Sequence, residues 1–389
     1  MSDYGFSTNS IHGYPPDTAH QAINQPIYMT SSFYFNSLEE AENTFGREGG
    51  NYVYTRGNNP TIKPLEKRMA KLAGGESAVA FSSGMAAIST LLLSLLQCGD
   101  RVLVHDVIYG STYNLMKNIL PKNGIEVEFT NLNEEELDKY RPEDIDLIYF
   151  ETPVNPTLEI INISTITDFA QSHNIPVVVD NTFATPYLQR PLEMGVSYTV
   201  HSTTKYISGH GDAVGGIVIS RNSDHMKKLR FEYMSDYGGV MSPFNAWLML
   251  RGLKTLKLRM DKHQQNAFRI AKFLNEHPRV KEVNYPGLKS FSFHKDAKNQ
   301  MEGWGGMLSF ELKGGEIAGK NFIENLSLIK LAVSLGDAET LIEVPFHMTH
   351  RDYDREELDN MDISRNLVRI SAGLEETADL IADLKRGLS

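Results

Sequence analysis

Short apolar runs alternate with helix-like segments along residues 61–220, and this alternation constrains the fold more than any other feature of the sequence. The runs are continuous rather than alternating in polarity, which is typical of parallel strands covered on both faces. The segments between them repeat apolar residues at helical spacing, as residues 62–72 do before a pair of glycines. We therefore predict an α/β domain with a mostly parallel sheet covered by helices. Its predicted strands are 78–81, 101–105, 125–129, 146–150, 176–180, 196–200 and 213–220.

The same patterns divide the chain into three parts. Residues 1–57 have no regular period, yet they are rich in aromatic residues, which disordered segments lack. We predict that this N-terminal arm buries its aromatic side chains against a neighbouring subunit. Residues 58–255 form the α/β domain, and residues 256–389 a smaller α+β domain. The predicted elements of the smaller domain are a long helix at 256–277, strands at 307–312 and 329–332, and helices at 318–326 and at the C-terminus.

The composition argues against several classes of function. The net charge is −11 at pH 7, and the Lys and Arg residues are spread out, so we expect neither a nucleic-acid nor a membrane partner. Cys98 is the one cysteine, and no signal-peptide pattern is visible, which favours a cytoplasmic location. Cys98 ends an apolar helix-like run and is predicted to be buried. His347 and His350 have no further ligand nearby in sequence, so we predict no metal site.

Polar residues follow four of the predicted strands, and in an open parallel sheet the chemistry lies at the carboxyl ends of the strands. Ser83 and Gly84 form a small-residue turn between a strand and a helix, which directs backbone N–H groups at an anion such as phosphate. An ordinary tight turn is the alternative. Asn155 stands between two prolines that fix the backbone. It is either presented rigidly to a ligand or part of a structural turn.

Asp180 and Lys205 follow two further strands. Asp180 comes after three valines, and a carboxylate at such a buried rim favours a cationic partner, such as a protonated ring nitrogen. Capping of a helix is the alternative. A partly buried lysine has a lowered pKa and attacks carbonyl groups, although Lys205 can also extend from a strand end to water. Ser202 and Thr204 can donate hydrogen bonds to an anion. Phosphate donors, a carboxylate and a semi-buried lysine together predict a site for pyridoxal phosphate (PLP).

Several motifs resemble those of the Cys/Met-metabolism PLP-dependent enzymes. This family contains methionine γ-lyase, cystathionine γ-lyase, cystathionine γ-synthase and the O-acylhomoserine sulfhydrylases. The resemblance runs from Thr8 to the C-terminus, and it implies a PLP-dependent transferase type I-like fold and a homotetramer built from two active-site dimers. The motifs that carry it are residues 54–61, 83–86, 180–183, 202–206 and 367–375.

The resemblance also implies a role for each motif residue. Lys205 would form the Schiff base with PLP, Asp180 would pair with the pyridinium nitrogen, and Tyr109 would stack on the ring and transfer protons. Arg369 would bind the substrate carboxylate, with Ser334 in the loop beside it. The residues implied to hold the phosphate or to approach the phenolic oxygen are Gly84, Met85, Ser202, Thr204 and Asn155, together with Tyr54 and Arg56 of the partner subunit.

The position of Val333 bears on the substrate. Family members that prefer cystathionine tend to carry Glu at the positions of Val333 and Val53, where it receives the distal ammonium group. Two valines suit an uncharged methyl thioether better, and residues 331–341 as a whole most resemble methionine γ-lyases. Two departures argue against narrow methionine specificity. Ser111 stands where methionine γ-lyases typically have Cys, and Ser235 where they have Lys.

The sequence therefore predicts a PLP-dependent carbon–sulfur lyase. It would convert L-methionine to methanethiol, 2-oxobutyrate and ammonia by γ-elimination, with homocysteine and cysteine as further substrates. A cystathionine γ-lyase, a cystathionine γ-synthase or an O-acylhomoserine sulfhydrylase is the alternative within the family. An inactive family fold that serves as a binding protein is the alternative outside it.

Overall fold

The computed structural model describes residues 4–16, 20–46, 51–351, 353–361 and 363–389. In these ranges the chain forms a seven-stranded sheet and a five-stranded sheet. The strands are β1 (Ser77–Phe81), β2 (Arg101–His105), β3 (Glu126–Thr130), β4 (Leu147–Glu151), β5 (Val177–Asp180), β6 (Tyr198–His201), β7 (Gly216–Ser220), β8 (Val280–Asn284), β9 (Met307–Leu312), β10 (Lys330–Leu331), β11 (Leu341–Glu343) and β12 (Leu367–Ser371). The α-helices are α1 (Phe6–His12), α2 (Leu38–Gly46), α3 (Ile62–Leu72), α4 (Gly84–Leu95), α5 (Gly110–Asn114), α6 (Glu134–Leu137), α7 (Ile163–Gln171), α8 (Thr185–Leu188), α9 (Ser223–Lys228), α10 (Ser235–Tyr237), α11 (Pro243–Leu253), α12 (Leu256–Asn275), α13 (His294–Gln300), α14 (Gly315–Glu324), α15 (Arg355–Asn360) and α16 (Thr377–Gly387).

The large sheet has the strand order β1-β7-β6-β5-β4-β2-β3. From β6 through β5, β4 and β2 to β3, neighbouring strands pair in parallel. β7 runs antiparallel to both of its neighbours, β1 and β6. The other strands of this sheet therefore share one direction, and their carboxyl ends lie along one edge. The predicted mostly parallel sheet is confirmed, with strand bounds that differ by a few residues at most.

Side chains of the large sheet enter two hydrophobic cores. Along β1, Ala78 and Ala80 belong to one core, and Val79 and Phe81 belong to the other. All residues of β4 are buried. Because strands buried on both faces need continuous apolar runs, these strands can be predicted from the sequence.

The smaller sheet has the order β10-β11-β12-β9-β8. Its neighbours pair antiparallel, except for the parallel pair of β10 and β11. β8, β11 and β12 are missing from the predicted strands. In β8, exposed Lys281 and Glu282 interrupt the buried valines at 280 and 283, so no continuous apolar run marks this strand. A second, smaller sheet is present as predicted, but it has more strands than its sequence suggests.

The N-terminal arm, residues 1–57, is more regular than predicted, because it contains the helices α1 and α2. Residues 1–3, 17–19 and 47–50 of the arm lie outside the described residues. The side chains of Tyr34 and Phe45 are 87% and 73% exposed. Their own chain does not bury these rings, and contact with a neighbouring subunit stays a prediction.

Cys98 is exposed, so its predicted burial is wrong. Helix α4 ends at Leu95, and Cys98 lies in the turn beyond the buried face of that helix. Among the helices of the described ranges, we find no stretch that combines the length and apolarity needed to cross a bilayer.

Gly216 begins β7 at the carboxyl edge of the large sheet, against the turn that follows β1. A Cβ atom here would lie 2.2 Å from the carbonyl oxygen of Ser83 and 2.8 Å from the Cα atom of Gly84. Because both atoms belong to the backbone, Gly216→Ala should lower the free energy of unfolding by about 1–3 kcal/mol, measured by urea denaturation. Gly5→Ala is the matched control, since a Cβ atom at Gly5 meets nothing within 4 Å. Equal stability of the two variants would contradict this prediction.

Candidate active site

A cavity of about 270 Å³ lies at the carboxyl edge of the large sheet. Its walls come from the residues that follow β1, β2, β4, β5 and β6, from the loop after β10, and from β12. This one space brings together most of the residues singled out in the sequence, although they are distant along the chain. Those lining it are Gly84, Met85, Tyr109, Asn155, Asp180, Ser202, Thr204, Lys205, Val333, Ser334 and Arg369.

Tyr54, Arg56 and Ser111 do not line this cavity in their own chain. Tyr54 is 47% exposed, and the Arg56 guanidinium lies 5.5 Å from the centroid of the Tyr54 ring. Ser111 is exposed at the start of α5. The single chain therefore leaves these three predicted site residues on its surface, and a role for Tyr54 and Arg56 in a second subunit's site stays a prediction.

The turn after β1 presents backbone donors at the start of α4. The Ser83 side chain caps the helix by accepting a hydrogen bond from the Ala86 N–H, at 3.0 Å. The N–H groups of Gly84 and Met85 have no intrahelical acceptor at this end of the helix, and they carry its positive dipole. A Cβ atom at Gly84 would lie 3.0 Å from the Cβ atom of Ser202, so glycine permits the close approach of this turn to the end of β6. This arrangement suits an anion.

Thr204 faces the same end of the cavity, but its hydroxyl is engaged with Gly215. The hydroxyl accepts a hydrogen bond from the Gly215 N–H at 3.0 Å and donates one to the Gly215 carbonyl at 3.2 Å. A phosphate group would compete with that carbonyl for the hydroxyl hydrogen.

Two carboxylates, the buried Glu151 and the half-buried Asp180, stand side by side at the ends of β4 and β5. Asp180 and Glu151 are direct partners in the register of these strands. Burial raises the pKa of Asp180 to about 6, although the N–H of Thr182 donates to it at 2.9 Å and lowers the pKa in part. Burial and the neighbouring Asp180 raise the pKa of Glu151 well above its usual value. A cation placed against Asp180 would relieve this excess of buried negative charge.

Glu151 was not singled out in the sequence analysis. It lines the cavity and accepts a hydrogen bond from the N–H of Tyr109 at 2.9 Å. Tyr109 precedes α5, and its side chain is 39% exposed, so the ring is accessible to a planar ligand in the cavity. The signal for Glu151 is visible in retrospect, because this acid ends a continuous apolar run just as Asp180 does.

Lys205 enters the cavity from the loop after β6. Burial, and then the charge of Arg369, lower the pKa of its amine. The amine donates a hydrogen bond to the Oγ of Ser334 at 2.9 Å. Ser334 has a φ of 92°, a left-handed conformation that a serine rarely adopts and that is typical of functional sites. A lysine with a lowered pKa is neutral more often and can act as a nucleophile or a base.

Arg369 lies in the wall opposite the large sheet, on β12. It is 3% exposed, and burial lowers the pKa of its guanidinium. Its Nη1 donates a hydrogen bond to Asn155 Oδ1 at 2.8 Å and forms an ion pair with Glu343 Oε1 at 2.8 Å. Its Nη2 donates to the carbonyl of Ser334 at 2.9 Å. The Nε–H finds no acceptor among the described residues, which leaves it for a ligand in the cavity.

No group of three or more His, Cys, Asp or Glu side chains in the described ranges is arranged to hold a metal ion. His350 is buried, and its two ring nitrogens face Asn155 O at 3.1 Å and Thr349 Oγ1 at 3.0 Å. His347 instead faces Glu316 at 3.4 Å. The two histidines therefore have separate partners.

The donor set of the cavity fits PLP. The start of α4 suits the phosphate, the Asp180 carboxylate, which has no cationic partner among the described residues, suits a protonated pyridine nitrogen, and the Lys205 amine suits the aldehyde. The orphaned Nε–H of Arg369 suits the carboxylate of an amino acid bound beside it.

Comparison with known proteins agrees with this chemistry. A family model described as "Cys/Met metabolism PLP-dependent enzyme" matches residues 7–389. An L-methionine gamma-lyase of Fusobacterium nucleatum subsp. polymorphum is 45% identical over 99% of this chain and 98% of its own length. A cystathionine beta-lyase of Lactococcus lactis subsp. cremoris is 42% identical over 98% of each chain.

A solved structure adds the cofactor. It is that of a putative O-acetylhomoserine (thiol)-lyase of Campylobacter jejuni, which contains N'-pyridoxyl-lysine-5'-monophosphate. It superimposes with a TM-score of 0.95 at 35% identity, over 99% of this chain and 100% of the other. The predicted fold class and cofactor are thereby confirmed. The chain belongs to the Cys/Met-metabolism family of PLP-dependent enzymes.

Proposed function

We propose that this enzyme is a carbon–sulfur lyase that converts L-methionine to methanethiol, 2-oxobutyrate and ammonia, and that also accepts homocysteine and cysteine. The observation that carries the proposal is the single cavity in which Lys205, Asp180 and Arg369 meet beside the apolar side chain of Val333. Val333 offers an apolar contact to a methyl thioether, whose burial is favourable, and no counter-charge for a distal ammonium group. The similarity to an L-methionine gamma-lyase supports the same reaction.

The chain's residues divide the work of binding PLP. The N–H groups of Gly84 and Met85 and the hydroxyls of Ser202 and Thr204 would hold the phosphate, and Asn155 would bind near the phenolic oxygen. Asp180 would keep the ring nitrogen protonated, and the side chain of Tyr109 would contact the ring. When bound, PLP supplies an aldehyde for the substrate amine and a ring that withdraws electrons from the substrate's Cα atom.

Lys205 and Arg369 act on the substrate. The Nε–H and the second Nη2 hydrogen of Arg369 bind the α-carboxylate and fix the direction of the Cα–H bond. The Lys205 amine, whose pKa is lowered by burial, takes the Cα proton as a general base. Tyr109 transfers the later protons beside the departing sulfur. Ser334 holds the Lys205 amine near its working position when the substrate is absent.

We further propose that Tyr54 and Arg56 of the partner subunit complete the phosphate site. Support comes from their exposure in the single chain and from the exposed aromatic rings of the arm. The corresponding assembly is a homotetramer of two active-site dimers in the cytoplasm. In this assembly, Ser111 would lie near the part of the pocket that receives the substrate's sulfur.

A comparison of substrates tests the proposed reaction. The holoenzyme is incubated separately with methionine, cystathionine and O-acetylhomoserine, and 2-oxobutyrate and methanethiol are measured. We expect methionine to react faster than cystathionine, because burying the methyl group against Val333 is favourable, whereas the distal ammonium of cystathionine finds no carboxylate there.

Val333→Glu provides the matched variant for this test. The added carboxylate should shift the preference toward cystathionine, since it supplies the missing counter-charge. Faster turnover of cystathionine or O-acetylhomoserine by the unmodified enzyme would favour the other members of the family. A purified protein that stays colourless and cannot be loaded with PLP would indicate an inactive fold that serves in binding.

A further inference from the structure

Glu343 is a buried carboxylate behind Arg369 that the proposed reaction does not use. It lies on β11 directly opposite Arg369 on β12, and it is 0% exposed. Its Oε1 lies 2.8 Å from Nη1 of Arg369 and accepts a hydrogen bond from the Thr349 hydroxyl at 2.9 Å. Its Oε2 has no partner among the described residues. Because this buried carboxylate has few hydrogen-bond partners, its negative charge is stabilised mainly by the positive charge of Arg369.

The contacts of Arg369 show which of its N–H groups remain free to bind a substrate carboxylate. A guanidinium has five N–H hydrogens. Asn155 accepts a hydrogen bond from Nη1 and the Ser334 carbonyl accepts one from Nη2, while Glu343 forms an ion pair with Nη1 at 2.8 Å. The Nε–H and one Nη2 hydrogen remain, which is enough for one bidentate carboxylate. Glu343 therefore does not block the substrate's place, and its effect on the substrate passes through the orientation and the charge of Arg369.

The charges near Arg369 determine how Glu343 affects the binding of the substrate carboxylate. Arg369 carries one positive charge, and the carboxylate of Glu343 already compensates it at contact distance. Burial lowers the pKa of His350 to about 3, so this neighbour adds no positive charge near neutral pH. A bound substrate carboxylate is thus the second anion in direct contact with the Arg369 guanidinium. The two carboxylates repel each other in a region where water screens them poorly.

We propose that Glu343 is a positioning and charge-compensating residue, which fixes the guanidinium of Arg369 and weakens the site's affinity for carboxylates. The inference rests on the proposed role of Arg369 in binding the substrate carboxylate. It also narrows the class of ligand, because an amino acid that reacts through its amine is retained, whereas a simple carboxylate is held weakly. The 2-oxo acid product has no amine, so the same compensation favours its release.

The test measures the binding of butyrate, a carboxylate without an amine, to the PLP-loaded enzyme by calorimetry. In Glu343→Gln, which keeps the size of the side chain but removes its charge, the dissociation constant should fall by about tenfold or more. 3-(Methylthio)propylamine, which has the thioether and the amine of methionine but no carboxylate, should gain no affinity. A residue that only held Arg369 in place would have the opposite effect, because its loss would weaken the binding of butyrate.

Two further variants control for other causes. Thr349→Val removes the hydroxyl that donates to Glu343 but keeps both charges, so it should not tighten butyrate binding. Glu343→Met removes the charge with an apolar side chain and replaces Glu343→Gln if that variant does not fold. The wild-type enzyme gives an independent reading, since butyrate should bind it with a dissociation constant on the order of 1 mM or weaker. A wild-type value below about 10 µM, or no tightening in the charge-deleting variants, overturns the inference.

Arg369→Gln separates this inference from the proposed function. If butyrate binding is lost in Arg369→Gln but is not tightened in Glu343→Gln, the compensating role of Glu343 is wrong and the carboxylate site stands. If butyrate still binds to Arg369→Gln, the carboxylate site lies elsewhere, and both assignments are overturned. Neither result depends on which sulfur amino acid the wild-type enzyme turns over.

Discussion

Lys205→Ala should lower kcat by at least about a thousandfold, because the variant lacks both the amine that attaches PLP and the base that takes the Cα proton. The pKa of this amine is lowered by burial and by Arg369, so its neutral, proton-accepting form is more populated than that of an exposed lysine. Turnover is measured as 2-oxobutyrate formed from methionine. In parallel, borohydride reduction and mass spectrometry should find PLP attached to a peptide containing Lys205 in the wild type and not in the variant.

Lys254→Ala is the matched control for Lys205→Ala. The pKa of Lys254 is also lowered, mainly by burial and further by Arg68, but this lysine lies outside the active-site cavity. Its amine is hydrogen-bonded to Asn24 at 2.5 Å. Turnover by this variant should stay within about threefold of wild type, as expected for a substitution away from the site. Retained turnover in Lys205→Ala, or borohydride labelling at another lysine, would show that a different amine serves the cofactor.

The large sheet could be predicted from the sequence because its strands are buried on both faces. β2 and β4 are continuous apolar runs, and their predicted and observed bounds nearly coincide. The strands of the smaller sheet could not be found in this way. β11 has three residues and ends in Glu343, a polar residue whose burial depends on a partner strand more than twenty positions away in sequence.

The helices of the arm were missed for a related reason. α1 packs against α3 and α12, so its stability comes from contacts distant in sequence rather than from its own apolar period. Cys98 shows the opposite error. Its run of apolar neighbours suggested burial, but the helix ends before the buried stripe reaches it.

The residues of the candidate site also differ in how far the sequence alone reveals them. Asp180 could be found because it ends an apolar run, and Lys205 because it is a single cation shortly after another such run. Gly84 and Asn155 needed the resemblance to a family, since small turns and proline-flanked amides are common in structural roles. Glu343 carries no local signal, and its ion pair with Arg369 is defined only by the pairing of β11 with β12.

The structure also shows how the two sheets contribute to one site. The large sheet supplies the groups that we propose hold PLP, on strands that end at the same edge. The smaller sheet supplies Arg369 and the loop with Val333 and Ser334, which line the same cavity. Changes in the smaller sheet should therefore alter the choice of substrate, whereas changes at the edge of the large sheet should alter the binding of PLP.

Asp180→Asn should lower kcat by at least about a hundredfold, because an amide carries no negative charge to keep the ring nitrogen of PLP protonated. Turnover of methionine and the affinity for PLP are measured on the purified variant. Asp106→Asn is the matched control. Burial also raises the pKa of Asp106, but that residue lies outside the cavity, and its variant should keep near-wild-type turnover. Equal losses of turnover in the two variants would show that the effect comes from removing any buried carboxylate, rather than from removing the partner of the PLP ring nitrogen.

The PLP-free protein should respond to Asp180→Asn in the opposite direction. The pKa of Asp180 is raised to about 6 in the folded chain, against about 4 for an unfolded aspartate, because burial disfavours the charged form. The folded state therefore binds the extra proton, and its stabilising contribution is complete below pH 4 and lost as the pH rises through 6. Above pH 6 the variant should be more stable than the PLP-free wild type, by a difference on the order of 2 kcal/mol, and below pH 4 the two should converge.

Urea unfolding of the PLP-free proteins at pH 5 and pH 8 measures this difference. Glu151 reinforces this difference, because its pKa is raised by burial and then by the charge of Asp180, which the variant removes. Adding PLP should reverse the order, since the ring nitrogen supplies the cation that the wild-type carboxylate lacks. If the PLP-free wild type is more stable than the variant at pH 8, the Asp180 carboxylate is not destabilising, and its proposed need for a cationic partner is contradicted.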